Sequence, residues 1–114
     1  MRNYYLIVAF AIFFTSNSYS QMTLRGADVF LSSGSIVHVN DSLIVNSATS
    51  TITNNGQLEA NDFILVNGQL NNTSSGTTII RDTAEIQTTV ANDGTFRATE
   101  IYLEASSTFQ NAGV

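Results

Sequence analysis

The chain contains no cysteine, no proline and no lysine among its 114 residues. Without cysteine it can form no disulfide and no thiolate metal site, and no lipid can be attached to a cysteine after export. Its basic residues are 4 arginines, against 9 acidic residues. Because binding to phosphate groups depends on Lys and Arg, we expect neither a nucleic-acid partner nor docking on anionic lipid.

A long helix is not predicted either, because no apolar stripe with the helical period of 3.6 residues runs through residues 21–114. The bulk of this region is Asn, Thr, Ser, Gly and aliphatic residues. Thr, Val and Ile favour strands, whereas Asn and Gly favour turns. The regular placement of Val, Ile, Leu and Phe, together with the low charge, argues against a disordered chain and predicts an all-β fold.

Residues 1–20 are predicted to be a cleavable secretory signal peptide. A short basic start is followed by an apolar run over residues 4–14, and the small residues Ser18 and Ser20 precede a cleavage site after Ser20. A helix over the apolar run would span roughly 17 Å, against about 30 Å of hydrocarbon. The alternative is a buried N-terminal helix. We expect residues 21–114 to be secreted or held at the cell surface, with no membrane insertion after cleavage.

The region after the signal peptide contains an internal repeat. The decapeptide that begins at Gly56 aligns without gaps with the decapeptide that begins at Gly94. Glycines at positions 34, 56, 76, 94 and 113 recur with a period of about 20 residues, which is the mark of a solenoid. The aligned pairs are Leu58 with Phe96, Ala60 with Ala98, Asp62 with Glu100, Phe63 with Ile101, and Leu65 with Leu103.

Weaker copies fill the rest of the region. Ala27–Leu31 and Asn40–Val45 resemble the second half of the unit, and Gly76–Asp93 resembles a degenerate unit. Asn-Gly and Asp-Gly pairs at 55–56, 67–68 and 93–94 are predicted to form corners that accept a positive φ. The inward residues predicted for the degenerate unit are Ile80, Ala84, Ile86 and Val90.

These patterns predict a parallel β-solenoid of about four to five turns over residues 21–114, with equivalent residues such as Leu58 stacked about 4.8 Å apart. The alternative is an immunoglobulin-like β-sandwich, which the length and turn signals also suit but which requires no repeat. The last residues, Asn111–Val114, repeat the turn that opens a unit at Asn54–Gly56. Because no polar cap follows, we expect the solenoid to be truncated at its C-terminal end or to need a partner chain.

The exported start and the motifs Thr53–Leu58 and Ala91–Phe96 together resemble a known group of proteins. They are similar to the N-terminal region of large secreted or surface β-helix proteins, the adhesin-like type IX secretion substrates of Bacteroidota-type bacteria. The resemblance implies a structural or adhesive segment of an exported surface protein, with glycans, extracellular matrix or further repeats of the same protein as partners. Two alternatives stay open: the N-terminal part of a carbohydrate-active β-helix enzyme, and a small secreted domain capped by a partner chain.

Four acidic residues precede predicted strands and would form a column of carboxylates if the coils stack in register. Oxygen ligands suit Ca²⁺, so this column is a weak calcium candidate, whereas the simpler interpretation is that each acid stabilises a turn. The glycine- and aspartate-rich nonapeptide of calcium-binding β-rolls is absent. The four residues are Asp28, Asp41, Asp62 and Glu100, and Asp82 is less certain.

Other chemistry-bearing residues are sparse. Asp41-Ser42-Leu43 and Asp82-Thr83-Ala84 match the Asp-Ser/Thr-aliphatic pattern of O-glycosylation in the bacteria named above, so Ser42 and Thr83 are candidates for modification. The lone His38 is expected to be structural. We predict no catalytic residues, no cofactor and no enzymatic activity, because exposed aromatic and basic groups that could hold a sugar are few.

Overall fold

Residues 21–114 form an 8-stranded all-β fold in the computed structural model, which describes these residues. The predicted signal peptide and its cleavage site after Ser20 lie outside the described residues. Residues 21–114 contain no helix, so this range holds nothing long and apolar enough to span a membrane as a helix. The strands are β1 (Met22–Leu24), β2 (Val29–Leu31), β3 (Ile36–Asn54), β4 (Gln57–Asn72), β5 (Thr77–Ile86), β6 (Thr89–Asn92), β7 (Thr95–Leu103) and β8 (Thr108–Asn111).

The strands stack as the coils of a parallel β-solenoid of about four turns. Every pairing between them is parallel, which confirms the predicted solenoid and excludes the antiparallel sandwich that was the alternative. A complete coil has three strand positions, which β3 and β4 each supply within one long bent strand. The next two coils divide the same positions between β5 and β6 and between β7 and β8.

The core consists of columns of apolar side chains from equivalent positions in successive coils. Residues alternate between buried and half-buried along β4, because successive side chains of a strand point to opposite faces. Leu58 pairs with Val37 on one side and Thr78 on the other, as predicted. The four inward residues predicted for the degenerate unit are all buried, namely Ile80, Ala84, Ile86 and Val90.

One repeat assignment was wrong. Val29 pairs with Ile52, so Ala27–Leu31 leads into the third strand position rather than the second half of the unit. The second position of that coil is taken by Met22–Leu24, which pairs with Leu43–Val45. Both strands are only three residues long and have the same pattern of one buried residue at the end. Such a short pattern does not reveal from sequence whether a strand takes the second or the third position.

Close packing between coils explains the glycines at four of the five repeat positions, Gly56, Gly76, Gly94 and Gly113, which we call the glycine column, whereas a Cβ at Gly34 would meet no atom. A Cβ at Gly56 would lie 2.4 Å from the Ser35 carbonyl oxygen, and one at Gly94 would lie 2.2 Å from that of Gly76. Neither Gly56 nor Gly94 has a positive φ, so the predicted reason for these two corners was wrong. The prediction holds at Gly68, whose φ is 99°.

Candidate functional site

The first strand position carries an ion cluster on its outer surface, centred on Glu59. Arg81 Nη2 donates to Glu59 Oε1 at 2.8 Å, and His38 Nδ1 lies 3.3 Å from the same oxygen. Gln57 Nε2 donates to the other carboxylate oxygen. The hydrogen bond from Gln57, helped by His38 and Arg81, lowers the pKa of Glu59 from its ordinary value. The carboxylate therefore stays ionised at neutral pH and forms an ion pair across coils rather than serving as a general acid.

The weak calcium candidates do not gather into one site. Asp62 pairs with Ser42, and Glu100 pairs with Thr83. These residues form one outward column at the start of the second strand position, in which hydroxyls and carboxylates alternate. Asp62 and Glu100 are thus two coils apart, or about 10 Å at the usual strand spacing.

The remaining two acidic candidates lie elsewhere. Asp28 accepts a hydrogen bond from the Thr51 amide at 3.1 Å, beside the third strand position, and Asp41 lies in the register shift between Val39 and Ser42. Within residues 21–114, no three His, Cys, Asp or Glu side chains are grouped so that they could hold a metal ion.

The two modification candidates lie on the same outer column. Ser42 and Thr83 are half-buried and, together with Asp62, line one shallow recess. The Thr83 amide donates to Asp62 Oδ1 at 3.3 Å, and its hydroxyl lies 3.4 Å from Asp82 Oδ1. Glycosylation at these hydroxyls stays a prediction.

Sequence reasoning missed an asparagine ladder that runs through the core at the end of the third strand position. Asn54 Nδ2 donates to Asn72 Oδ1 at 2.9 Å, Asn72 Nδ2 to Asn92 Oδ1 at 2.7 Å, and Asn92 Nδ2 to Asn111 Oδ1 at 2.7 Å. The separations of 18, 20 and 19 residues follow the repeat, so the signal was present in the sequence. It was overlooked because asparagine is equally typical of turns.

The side-chain amides of the inner asparagines all have hydrogen-bond partners, and each Nδ2 donates toward the coil that follows. Each inner Nδ2 also donates to a carbonyl oxygen of the coil that follows, that of Thr77 at 2.9 Å, Thr95 at 2.8 Å or Val114 at 3.0 Å. The Oδ1 atoms of Asn54 and Asn92 accept backbone amides of the glycine column. Among the described residues, no buried side-chain nitrogen or oxygen lacks a hydrogen-bond partner.

In the four coils that follow the first, the outer surface of the third strand position carries no charge, and Asp28 of the first coil lies at its N-terminal edge against Thr51. Charged residues are absent from 51–54, 69–72, 89–92 and 108–111. We refer to this surface as the uncharged face, and it presents hydroxyl and amide groups in two columns. Its outward residues are Thr51, Gln69, Thr89 and Thr108 in one column and Thr53, Asn71, Ala91 and Gln110 in the other.

Two exposed aromatic side chains, Phe30 and Tyr102, could stack on a sugar, but they lie in different coils and at different strand positions. Phe30 is exposed in the first coil and pairs with Thr53 at the edge of the uncharged face. Tyr102 is exposed in the last coil at the second strand position, where its hydroxyl lies 3.3 Å from Glu100 Oε2. The two rings therefore form no common sugar-binding groove.

The fold and surfaces define this chain as a parallel β-solenoid protein. Comparison with protein-family models, curated proteins and solved structures gives no match.

Proposed function

We propose that this chain is a structural or adhesive segment of an exported bacterial surface protein, and that it binds neutral glycans through the uncharged face. The observation that carries the proposal is that four successive coils present only Thr, Gln, Asn and Ala outward at the third strand position, with no charged residue among them. The export signal predicted over residues 1–20 supports the extracellular setting.

Regular spacing makes this face suited to a polymer with a repeating pattern of hydroxyls. Stacked coils place equivalent side chains about 4.8 Å apart, so donors and acceptors recur at constant intervals. Threonine hydroxyls donate and accept, and the amides of Gln69 and Asn71 offer both functions, linked by a 2.6 Å hydrogen bond from Gln69 Nε2 to Asn71 Oδ1. A neutral polysaccharide meets this surface without the desolvation of an ionised group.

The proposal is tested by affinity electrophoresis through gels that contain a neutral polysaccharide, with a panel of such polymers. Thr89→Glu places a charge in the middle of the uncharged face and is expected to weaken binding at least about tenfold. Thr77→Glu is the matched control, because Thr77 is an equally half-buried outward threonine at the first strand position. Binding by this control is expected to equal that of the parent protein.

Salt dependence gives an independent test. Because the face carries no charge, binding is expected to be unchanged between about 0.05 M and 0.5 M salt, a range over which attraction between exposed charges is strongly screened. Equal loss of binding in both variants would show that the contact is not confined to the uncharged face, and loss of binding in high salt would show that it involves charged groups. Either result would overturn the proposal.

A further inference from the structure

Two Asn-Gly pairs stand at corners of inner coils, Asn55-Gly56 and Asn67-Gly68. In such a pair the backbone nitrogen of the glycine can attack the side-chain amide carbon of the asparagine, because glycine has no Cβ to obstruct the approach. The attack requires that the asparagine side chain turn toward the backbone and that the glycine amide give up any hydrogen bond it makes. Since the two pairs have the same local sequence, only their surroundings in the fold can make them differ.

The pair Asn55-Gly56 is held at both of the groups that would have to react. Asn55 is half-buried, and its Oδ1 atom accepts a hydrogen bond from Thr73 Oγ1. The Gly56 amide donates to Asn54 Oδ1 at 3.0 Å, and Asn54 is a fully buried member of the ladder. Reaction here would break the bond from Thr73 and leave a buried carbonyl oxygen of Asn54 without its donor, which is unfavourable.

The pair Asn67-Gly68 has neither of these side-chain restraints. Asn67 is exposed, and within residues 21–114 no hydrogen bond is made by its side chain. The Gly68 carbonyl accepts from Thr88 Oγ1 at 2.8 Å, but no side chain of this range accepts the Gly68 amide. The side chain of Asn67 can therefore turn toward the backbone without breaking a hydrogen bond or uncovering a buried polar atom.

We propose that Asn67 is a site of spontaneous deamidation in the folded protein. The Gly68 nitrogen loses its proton to the solvent and bonds to Asn67 Cγ, and the side-chain nitrogen leaves as ammonia, so that a five-membered succinimide forms. Water then opens this ring at one of its two carbonyl carbons. Breaking the bond between Cγ and the Gly68 nitrogen gives aspartate. Breaking the bond between the main-chain carbonyl carbon of Asn67 and that nitrogen gives isoaspartate. This modification does not depend on glycan binding.

Both products change the surface and the packing of this corner. Each adds a negative charge two residues before Gln69, at the edge of the uncharged face. Isoaspartate also adds one methylene group to the main chain, where space is short, because a Cβ at Gly68 would lie 2.5 Å from the Ser50 carbonyl oxygen. We therefore expect isoaspartate to weaken the local pairing of Asn67 with Asn46.

The test compares the two pairs within one protein. The folded protein and the protein unfolded in urea are kept in mildly alkaline buffer made with H₂¹⁸O, so that acid formed during the incubation carries the isotope. Digestion with pepsin in acid and tandem mass spectrometry then locate the label. In the folded protein we expect Asn67 to be converted at least about tenfold faster than Asn55, whereas in urea the two rates should be similar.

A variant tests the restraint at Asn55. Thr73→Val removes the hydroxyl that holds Asn55 Oδ1 and is expected to speed conversion of Asn55 in the folded protein while the rate at Asn67 is unchanged. Thr95→Val, at an outward threonine of the first strand position, is the matched control and should alter neither rate. Equal rates at Asn55 and Asn67 in the folded parent protein would overturn the proposal. A rate at Asn67 that is more than about tenfold slower in the folded protein than in urea would also overturn it.

Discussion

Asparagine is the residue that distinguishes this core from a purely aliphatic one. Its side-chain amide carries both a donor and an acceptor, so a column of asparagines can bond along its length and to the backbone at the same time. Asn54, Asn72 and Asn92 are at most 1% exposed. A strand that slipped by one residue would break this column, so the ladder sets the register of the third strand position.

At the residue scale, Asn72→Ala is expected to lower the free energy of unfolding by about 2–4 kcal/mol, because it removes the acceptor of Asn54 Nδ2 and Thr78 Oγ1 and the donor to Asn92. Asn111→Ala is the matched control and is expected to cost less than about 1 kcal/mol, since Asn111 is exposed. Urea unfolding followed by circular dichroism measures both. A loss of less than about 1 kcal/mol at Asn72 as well would show that the ladder does not stabilise the fold.

Glu59 is expected to make stability depend on pH. Its folded pKa is lowered, chiefly by the hydrogen bond from Gln57, so its stabilising contribution is present above the ordinary glutamate pKa and is lost as pH falls through the folded pKa. The stability deficit of Glu59→Gln relative to the parent should therefore shrink between about pH 7 and pH 3. Urea midpoints across this range measure the deficit.

A second variant tests whether the hydrogen bond from Gln57 is what lowers the pKa of Glu59. Gln57→Ala should raise the Glu59 pKa toward its ordinary value in an NMR titration of the side-chain carboxyl, because Gln57 makes the largest contribution. Thr95→Ala, an outward residue of the same strand position in a later coil, should leave the titration unchanged. A midpoint for Glu59 that does not move in Gln57→Ala would contradict this assignment.

At the element scale, the same column offers a comparison between an inner strand and an end strand. Leu65 in β4 is fully buried, whereas Leu103 in β7 is 55% exposed. Leu65→Ala is expected to cost about 2–5 kcal/mol through lost burial and the cavity left behind, and Leu103→Ala less than about 1 kcal/mol. Chemical denaturation of both variants tests this, and a similar cost at the two positions would indicate that the last coil is covered in solution.

Much of the element-scale description was predictable from local patterns. The alternation of Ile80, Ala84 and Ile86 predicted their inward orientation, because side chains of a strand alternate between its two faces. The pairing of Val29 was not predictable, since the first coil contains only short strands that fit either position. The role of Gly56 was misassigned because contact with the backbone of the preceding coil leaves no local sequence signature.

At the scale of the whole molecule, stacking accounts for the stability of a chain with no disulfide. Each coil is too small to bury its apolar face alone, so stability comes from contacts between neighbouring coils. A linear stack of this kind repeats the same outward positions from coil to coil, so the uncharged face extends along the side of the solenoid.

At the scale of the whole molecule, we predict that the chain is exported and that its signal peptide is cleaved. When the full chain is expressed in a bacterium with a general secretory pathway, we expect a mature protein that begins at Gln21, detected by intact mass spectrometry of the exported fraction. Ser20→Phe should block processing and leave the uncleaved form, because signal peptidase requires a small residue there. A Gln21→Glu control should be processed normally. Recovery of the parent chain with its first 20 residues intact would contradict the prediction.

The sequence by itself determined the all-β class, the repeat period and most inward residues. Alternation and glycine spacing can be recognised along the chain without knowing which residues are in contact in the folded protein. Only the tertiary structure decided which asparagines point inward, which glycines are required by contact with the preceding coil, and which groups surround Glu59. Those features arise between residues about 20 positions apart, where the position of one coil on the next determines each contact.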